Sequence, residues 1–317
     1  MSLEVEEKLD KIPIINWFVK LLKKLRLPGF EGLSVYDLLE MYVLGILNGT
    51  LSTRASAIAF SLFMALFPLL IFMVTLIPFL VSYISIEHGD FDVQFRLFLE
   101  SFLPSATGDY FGEVFQQIKD QKRGGLLSSS FILSIFLIAN GVNAIFSGFE
   151  YSYHIKEMRS VLKQYFISMG MAILLSLILL LTVAVAVYFE IGIGDLKQRG
   201  WLEDDLFWIE TGRFLLFVLL IFVSVSLLYK FGTKEVKHRS FFTPGSILTT
   251  ILTIVMFRLF SIYVLKFATY NELYGSIGTL LVLMLFVWIN SIILLLGFEL
   301  NASISRLKRF TFKKRIK

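Results

Sequence analysis

The stretch Tyr274–Asn301, YGSIGTLLVLMLFVWINSIILLLGFELN, decides the fold. Gly275, Ser276 and Gly278 open it. From Ile277 to Phe298 it carries no charge, and Thr279, Asn290 and Ser291 are its polar residues. A helix rising about 1.5 Å per residue crosses a bilayer in roughly 20 residues, so this run is long enough to span. It closes at Glu299. Seven cations follow: Arg306, Lys308, Arg309, Lys313, Lys314, Arg315 and Lys317. A basic flank of this kind stays in the cytoplasm, so the segment carries its own orientation signal.

Composition agrees with a membrane protein. The chain of 317 residues is 56% hydrophobic, against roughly 45–50% for soluble domains, and its mean hydropathy is +0.75. The apolar runs are continuous rather than alternating, which points to helices and not to barrel strands. The net charge of +5 sits in the segments between runs, where it signals topology rather than nucleic-acid binding. The absence of cysteine excludes disulfides and thiolate metal sites. Residues 1–11 mix acids and lysines with no small-residue cleavage site, which argues against a cleaved signal peptide.

Working outward, five further runs join the first. Ala55–Ile84 is about ten residues longer than a bilayer needs and contains Pro68 and Pro78, which predict a kinked or tilted helix. Leu126–Phe149 is the most polar, with Asn140, Asn143 and several serines and glycines that favour close helix approach. Ile167–Phe189, Phe214–Leu228 and Phe241–Leu265 follow, the last with Pro244 in its first turn and Arg258 inside. Ahead of them, residues 12–27 are amphipathic and suit the cytoplasmic membrane surface or a seat on the bundle. Ser34 caps a second short helix ending at Asn48-Gly49. Residues 85–125 carry Phe91, Phe95, Phe98 and Phe102 at helical spacing, which predicts a short helical cap on the outer face.

The cations decide orientation. The N-terminal segment, the segments after the second and fourth runs and the C-terminal tail together hold 21 Lys and Arg; the opposite side holds 8. The expected architecture is an all-α polytopic bundle of six transmembrane helices (55–84, 126–149, 167–189, 214–228, 241–265, 277–298) with both termini cytoplasmic. Residues 1–54 form the interfacial part, 55–304 the membrane domain, and 305–317 a basic cytoplasmic tail.

Arg54-Ala55 to Ala59-Phe60 with Leu66-Phe67-Pro68-Leu69, Pro244-Gly245 with Phe260-Ser261-Ile262-Tyr263, and Tyr274 to Gly278 with Trp288 and Gly297 to Asn301 carry a resemblance. In order and spacing they resemble the YihY/BrkB family of bacterial inner-membrane proteins, from about Ser34 to Ile304. One departure is Phe231-Gly232-Thr233, where the family often has a proline. The resemblance implies an inner-membrane location and this architecture. It brings three functional labels: an older tRNA-processing ribonuclease label (ribonuclease BN), serum resistance, and envelope lipid export.

No catalytic constellation emerges, and neither a metal site nor a cofactor is expected. His88, His154 and His238 fall between runs, and the topology puts His88 on the side opposite the other two. His154 and Glu157 have an HxxE spacing with no third ligand nearby, and read as a solvated pair.

Polar residues at membrane depth are the site candidates. Arg258 lies about 25 Å along its helix from Phe241, near the outer leaflet, where it either snorkels or meets an anionic headgroup. Asn140, Asn143 and Asn290 either bind helices together or line a polar cavity with it. Arg54 and Glu299 both sit where a run meets the cytoplasm and are expected to form a structural ion pair. The partners expected are membrane lipids with anionic headgroups, with a homo-oligomer or an envelope protein as further options, and no nucleic acid. Two function classes compete: a transporter or flippase of an anionic lipid or envelope precursor, and a non-transporting envelope scaffold. A tRNA-processing ribonuclease is disfavoured.

Overall fold

The computed structural model describes residue 24 and residues 34–66, 124–198, 205–234, 241–266 and 270–315. The elements they build are α-helices. In chain order these are α1 (Val35–Asn48), α2 (Leu51–Leu66), α3 (Gly124–Glu150), α4 (Val161–Gln198), α5 (Asp205–Phe231), α6 (Pro244–Lys266) and α7 (Tyr270–Arg315). Pro68, Pro78, nearly all of the amphipathic segment 12–27 and nearly all of the expected outer cap 85–125 lie outside the described residues.

Four described helices are long and apolar enough to cross a membrane: Val161–Ala186, Phe207–Phe231, Pro244–Tyr263 and Leu280–Leu307. The pair α1 and α2 makes a fifth if it is taken as one bent span. The apolar part of α3, Ile135–Glu150, is shorter.

The bend between α1 and α2 is 64°, and local chemistry starts α1, ends it and starts α2. Ser34 and Asp37 close a capping box at the start of α1: the Asp37 N–H donates to Ser34 Oγ at 3.2 Å, and the Ser34 N–H to Asp37 Oδ2 at 2.6 Å. The helix ends at Gly49. A Cβ there would strike the Gly45 carbonyl and lie 2.8 Å from Arg54 Nη2. Thr50 then takes φ 47°, a left-handed conformation rare for a β-branched residue. Its carbonyl accepts the Arg54 N–H at 3.1 Å and so starts α2.

Sequence neighbours pack in turn, α3 on α4, α4 on α5, α5 on α6 and α6 on α7; α7 then returns to α1 and α3. The core forms around Phe149, which stacks on Phe298 at 4.2 Å between ring centres and meets Tyr229 edge-on at 5.6 Å. Ile58, Phe146 and Leu295 complete it. Between α6 and α7 the backbones touch at two glycines. A Cβ on Gly297 would land on Thr249 Oγ1, and one on Gly245 would strike the Gly297 carbonyl. Small residues at such a crossing let helices approach closely where lipid gives no hydrophobic drive for association. Asn301 fixes the register: its Oδ1 accepts the Gly245 N–H at 2.9 Å, one of the unpaired donors of the first helical turn.

Several helices run past their apolar stretches. Glu190 to Gln198 continue α4 rather than forming a loop, and α5 begins at Asp205 and takes in Trp208 and Glu210. The basic segment from 305 to 315 is the end of α7. At 46 residues that helix is about 69 Å long, over twice a hydrocarbon core of roughly 30 Å. Apolarity marks where lipid begins and ends. The backbone ladder continues until a breaker stops it, and residues 302–315 contain neither Gly nor Pro.

Burial is uneven along the bundle. Buried residues gather in α2, the second half of α3, the first part of α4, the last turns of α5, the first turns of α6 and 291–307 of α7, with Ala186 and Ile193 buried further along α4. Residues 207–224, 251–263 and 280–290 contain none. The first set lies toward the cation-rich segments, here called the basic end.

Candidate functional site: a buried polar cluster at the basic end

Arg54 is set one turn into α2 and is almost fully buried. Its Nη2 donates to Glu299 Oε1 on α7 at 2.7 Å, and its Nη1 to the Gly148 carbonyl of α3 at 2.8 Å. Arg54 Nε is buried without a hydrogen-bond partner. Glu299 has no solvent exposure. Its second oxygen, Oε2, accepts the Ser152 hydroxyl at 2.8 Å. A buried charge is tolerated only when paired and hydrogen-bonded, and each carboxylate oxygen here has a donor.

The cluster goes on through the turn between α3 and α4. His154 is 5% exposed. Its Nε2 lies 3.1 Å from the Met41 carbonyl of α1 and 3.1 Å from Ser303 Oγ of α7. Its Nδ1 lies 3.0 Å from Arg306 Nη1 of α7. A guanidinium only donates, so Nδ1 accepts and the ring proton sits on Nε2, aimed at Met41. The imidazole is therefore neutral. Burial, with the Arg306 and Arg54 cations beside it, pushes its pKa down to about 4, although the Met41 hydrogen bond acts the other way. Arg306 also lies over the Tyr153 ring, with Cζ 5.0 Å from its centre. Gly45 makes room for all this: a Cβ there would be 2.6 Å from His154 Nε2 and 3.1 Å from Glu299 Oε2.

This corrects the solvated reading of His154. The HxxE spacing divides: Glu157 is exposed and pairs with Lys234 at 2.8 Å, while His154 turns inward. Sequence spacing alone does not say which side of a turn faces the protein. Arg306, counted above as one of the tail cations, is another member that the sequence did not single out. The signal that was available is the placement of Arg54 and Glu299, each closing an apolar run at the same end. Nearby, the Arg159 backbone N–H donates to both Glu150 oxygens at 3.2 and 3.3 Å, and its guanidinium donates to the last carbonyl of α5, Phe231, at 2.6 Å.

The membrane-depth candidates are not brought together. Asn143 Oδ1 accepts from Gln164 Nε2 at 3.1 Å and from the Ser168 hydroxyl at 3.4 Å, so it ties α3 to α4. Asn290 donates to the Phe286 carbonyl one turn back on its own helix, at 2.9 Å. Asn140 is half-buried on α3. Arg258 lies on an exposed stripe of α6 with Ile251, Val255, Leu259 and Ile262. The stripe follows from helical spacing, since these positions recur every three or four residues. Among the described residues, no group of three or more His, Asp or Glu is placed to hold a metal ion.

A family model described as virulence factor BrkB matches residues 45–316. YfkH of Bacillus subtilis (strain 168), whose name describes it as ribonuclease-like, is 30% identical over 265 residues, covering 81% of this chain and 91% of its own. A UPF0761 membrane protein of Coxiella burnetii (strain RSA 493 / Nine Mile phase I) is 28% identical over 251 residues, covering 77% of this chain and 84% of its own. No solved structure matches the chain. The family match takes in α2 to α7, the part of the chain that carries the buried cluster, and the chain belongs to the BrkB family of membrane proteins.

Proposed function

We propose that the protein moves an anionic amphiphile, a lipid or lipid-linked envelope precursor, across or out of the bacterial inner membrane, as a six-span bundle with both termini cytoplasmic. The uneven burial supports this reading most. The basic end is sealed by a packed aromatic core and a buried ion pair, while 207–224, 251–263 and 280–290 hold no fully buried residue. A bundle shut at one end and loosely packed at the other suits a carrier that opens to one leaflet. Arg258 lies in the loose half on a face exposed to lipid, about 21 Å along α6 from Pro244. There its guanidinium reaches phosphate headgroups and can bind them bidentately.

The second reading is a non-transporting envelope scaffold. The closed, cross-linked basic end favours it, because such an end is rigid. The ribonuclease-like description belongs to YfkH; for this chain an RNA-processing role has no clustered carboxylates or histidines among the described residues to support it.

The test is translocation of labelled phosphatidylglycerol in proteoliposomes holding wild type, Arg258→Ala or Arg258→Lys. Protein-dependent translocation is expected. Alanine should lower it about tenfold or more, the scale of one hydrogen bond to a charged group at ~1.5–3 kcal/mol. Lysine should keep part of it. Well-folded wild type that translocates no anionic lipid turns the reading to the scaffold.

A further inference from the structure

α1 is apolar on two faces, and one of them is covered among the described residues. Its inner face rests on the buried cluster: Gly45 lets it approach His154 and Glu299, and its Met41 carbonyl lies 3.1 Å from His154 Nε2. Val43 and Leu47 stand two residues either side of Gly45, about 200° round the helix, and so lie on the opposite face. With Leu39 they form a stripe spaced four residues apart, and Leu39, Val43 and Leu47 are 40%, 44% and 72% exposed. Ser303 of α7 meets the same His154 nitrogen, and it lies one turn past Glu299. α1 therefore crosses the bundle at a level where α7 has already left its uncharged run. A helix that is apolar on both faces is buried on both, so the stripe calls for a cover of its own.

We propose that this stripe is the seat of the amphipathic segment 12–27 of the same chain, folded back on α1 as an antiparallel helical hairpin. The link has the right length. Six residues, 28–33, separate the segment from Ser34, with Pro28, Gly29 and Gly32 among them; helix–helix connections run to about 2–8 residues. The apolar positions match in register. With Leu27 level with Ser34, Leu22 comes level with Leu39, Phe18 with Val43 and Ile14 with Leu47. Both sets recur every four residues, so both form one stripe on a helix. Lys24, the residue of the segment that the structure describes, is helical and exposed. Leu22 is two residues from it, about 200° round a helix, and so belongs to the opposite side.

The charges are complementary as well. α1 carries Asp37 and Glu40 and no cation, while residues 12–27 carry Lys20, Lys23, Lys24 and Arg26 and no acid. Exposed ion pairs are worth little one by one, so these charges select the orientation while apolar burial holds the seat. An anionic membrane surface attracts the same lysines, but a segment lying there leaves the α1 stripe bare; the hairpin buries both apolar faces at once. The basic end is then covered in two layers, α1 over His154 and Glu299, and 12–27 over α1. This seat does not depend on what the protein carries.

The chain has no cysteine, so cysteine pairs can be placed in the full-length protein without background. Leu22→Cys with Leu39→Cys, and Phe18→Cys with Val43→Cys, should form disulfides within one chain when membranes holding the protein are oxidised. Lys24→Cys with Leu39→Cys points the first thiol away and should give about tenfold less, because a disulfide needs facing Cβ atoms. Equal yields from the facing and the averted pairs overturn the proposal, and so do disulfides that form only between two chains. A labelling rate gives a second reading. Val43→Cys should react with a water-soluble maleimide about tenfold faster once Phe18→Asp and Leu22→Asp are added, since the seat that shields it is lost. An unchanged rate overturns the seat. A fluorophore on Phe18→Cys that is quenched by phosphatidylglycerol with brominated tails would put the segment in the membrane instead.

Discussion

At the basic end, Phe149 lies flat on Phe298, Tyr229 donates its hydroxyl to the Leu294 carbonyl at 2.7 Å, and Arg54 is locked between Glu299 and the Gly148 carbonyl. In the far half of the same helices aromatic contacts stand without a buried ion pair among the described residues. Phe257 meets Phe217 and Phe286 edge-on, each at 5.0 Å, Phe260 lies 4.5 Å from Phe286, and no residue of 251–263 or 280–290 is fully buried. Desolvated hydrogen bonds are directional, and leaving one unmade is expensive, so the basic end has one arrangement. Edge-on aromatic pairs add about 0.5–1.5 kcal/mol each and keep most of that if the rings slide. One helix, α7, passes through both regimes. The difference teaches that its charged and small residues fix the bundle at one end, while its apolar residues leave the other end free to repack.

The strongest way to break this contrast is to unpair the buried charge. Glu299→Gln leaves the Arg54 guanidinium buried without a counter-ion, which should lower stability by about 3–5 kcal/mol. Adding Arg54→Gln should restore part of the loss, measured as unfolding in mixed micelles. Strictly additive losses in that cycle would show that the two side chains do not act as a pair.

A smaller effect sharpens the comparison by making one chemical change in two places. Gly297→Ala puts a methyl onto Thr249 Oγ1 and 2.5 Å from the Tyr229 hydroxyl, an overpacking that should cost about 1–3 kcal/mol. Gly170→Ala in α4 meets nothing within 4 Å and should be neutral or stabilise by about 0.5–1 kcal/mol through helix propensity. Melting temperatures in detergent would read both. Equal losses at the two sites would remove the distinction between close-packed and lipid-facing helix surfaces.

The smallest expected effect is in the far half. Arg258→Ala changes an exposed position on α6 and should alter stability by no more than about 0.5 kcal/mol, even if translocation falls. A loss well above that would mean that Arg258 holds the bundle together and does not simply face lipid.

Within the described residues, the sequence by itself determined where helices begin to be apolar, which end of each carries cations, and that Arg54 and Glu299 close runs at the same end. These are local properties, set by transfer of side chains into hydrocarbon and by charge near a membrane surface. The Ser34 cap and the break at Gly49 were equally local, because capping and glycine chemistry act within one turn. Helix extents were not, since the ladder of α4, α5 and α7 runs on into polar sequence where no breaker intervenes. Only the tertiary structure decided that His154 points inward while Glu157 points out, that Arg306 reaches back to the imidazole, and that Asn143 is taken by Gln164 rather than by a cavity. Those outcomes depend on which groups from distant parts of the chain arrive at the same turn. A buried polar group must find its partner there, and nothing in its own neighbourhood of sequence names that partner.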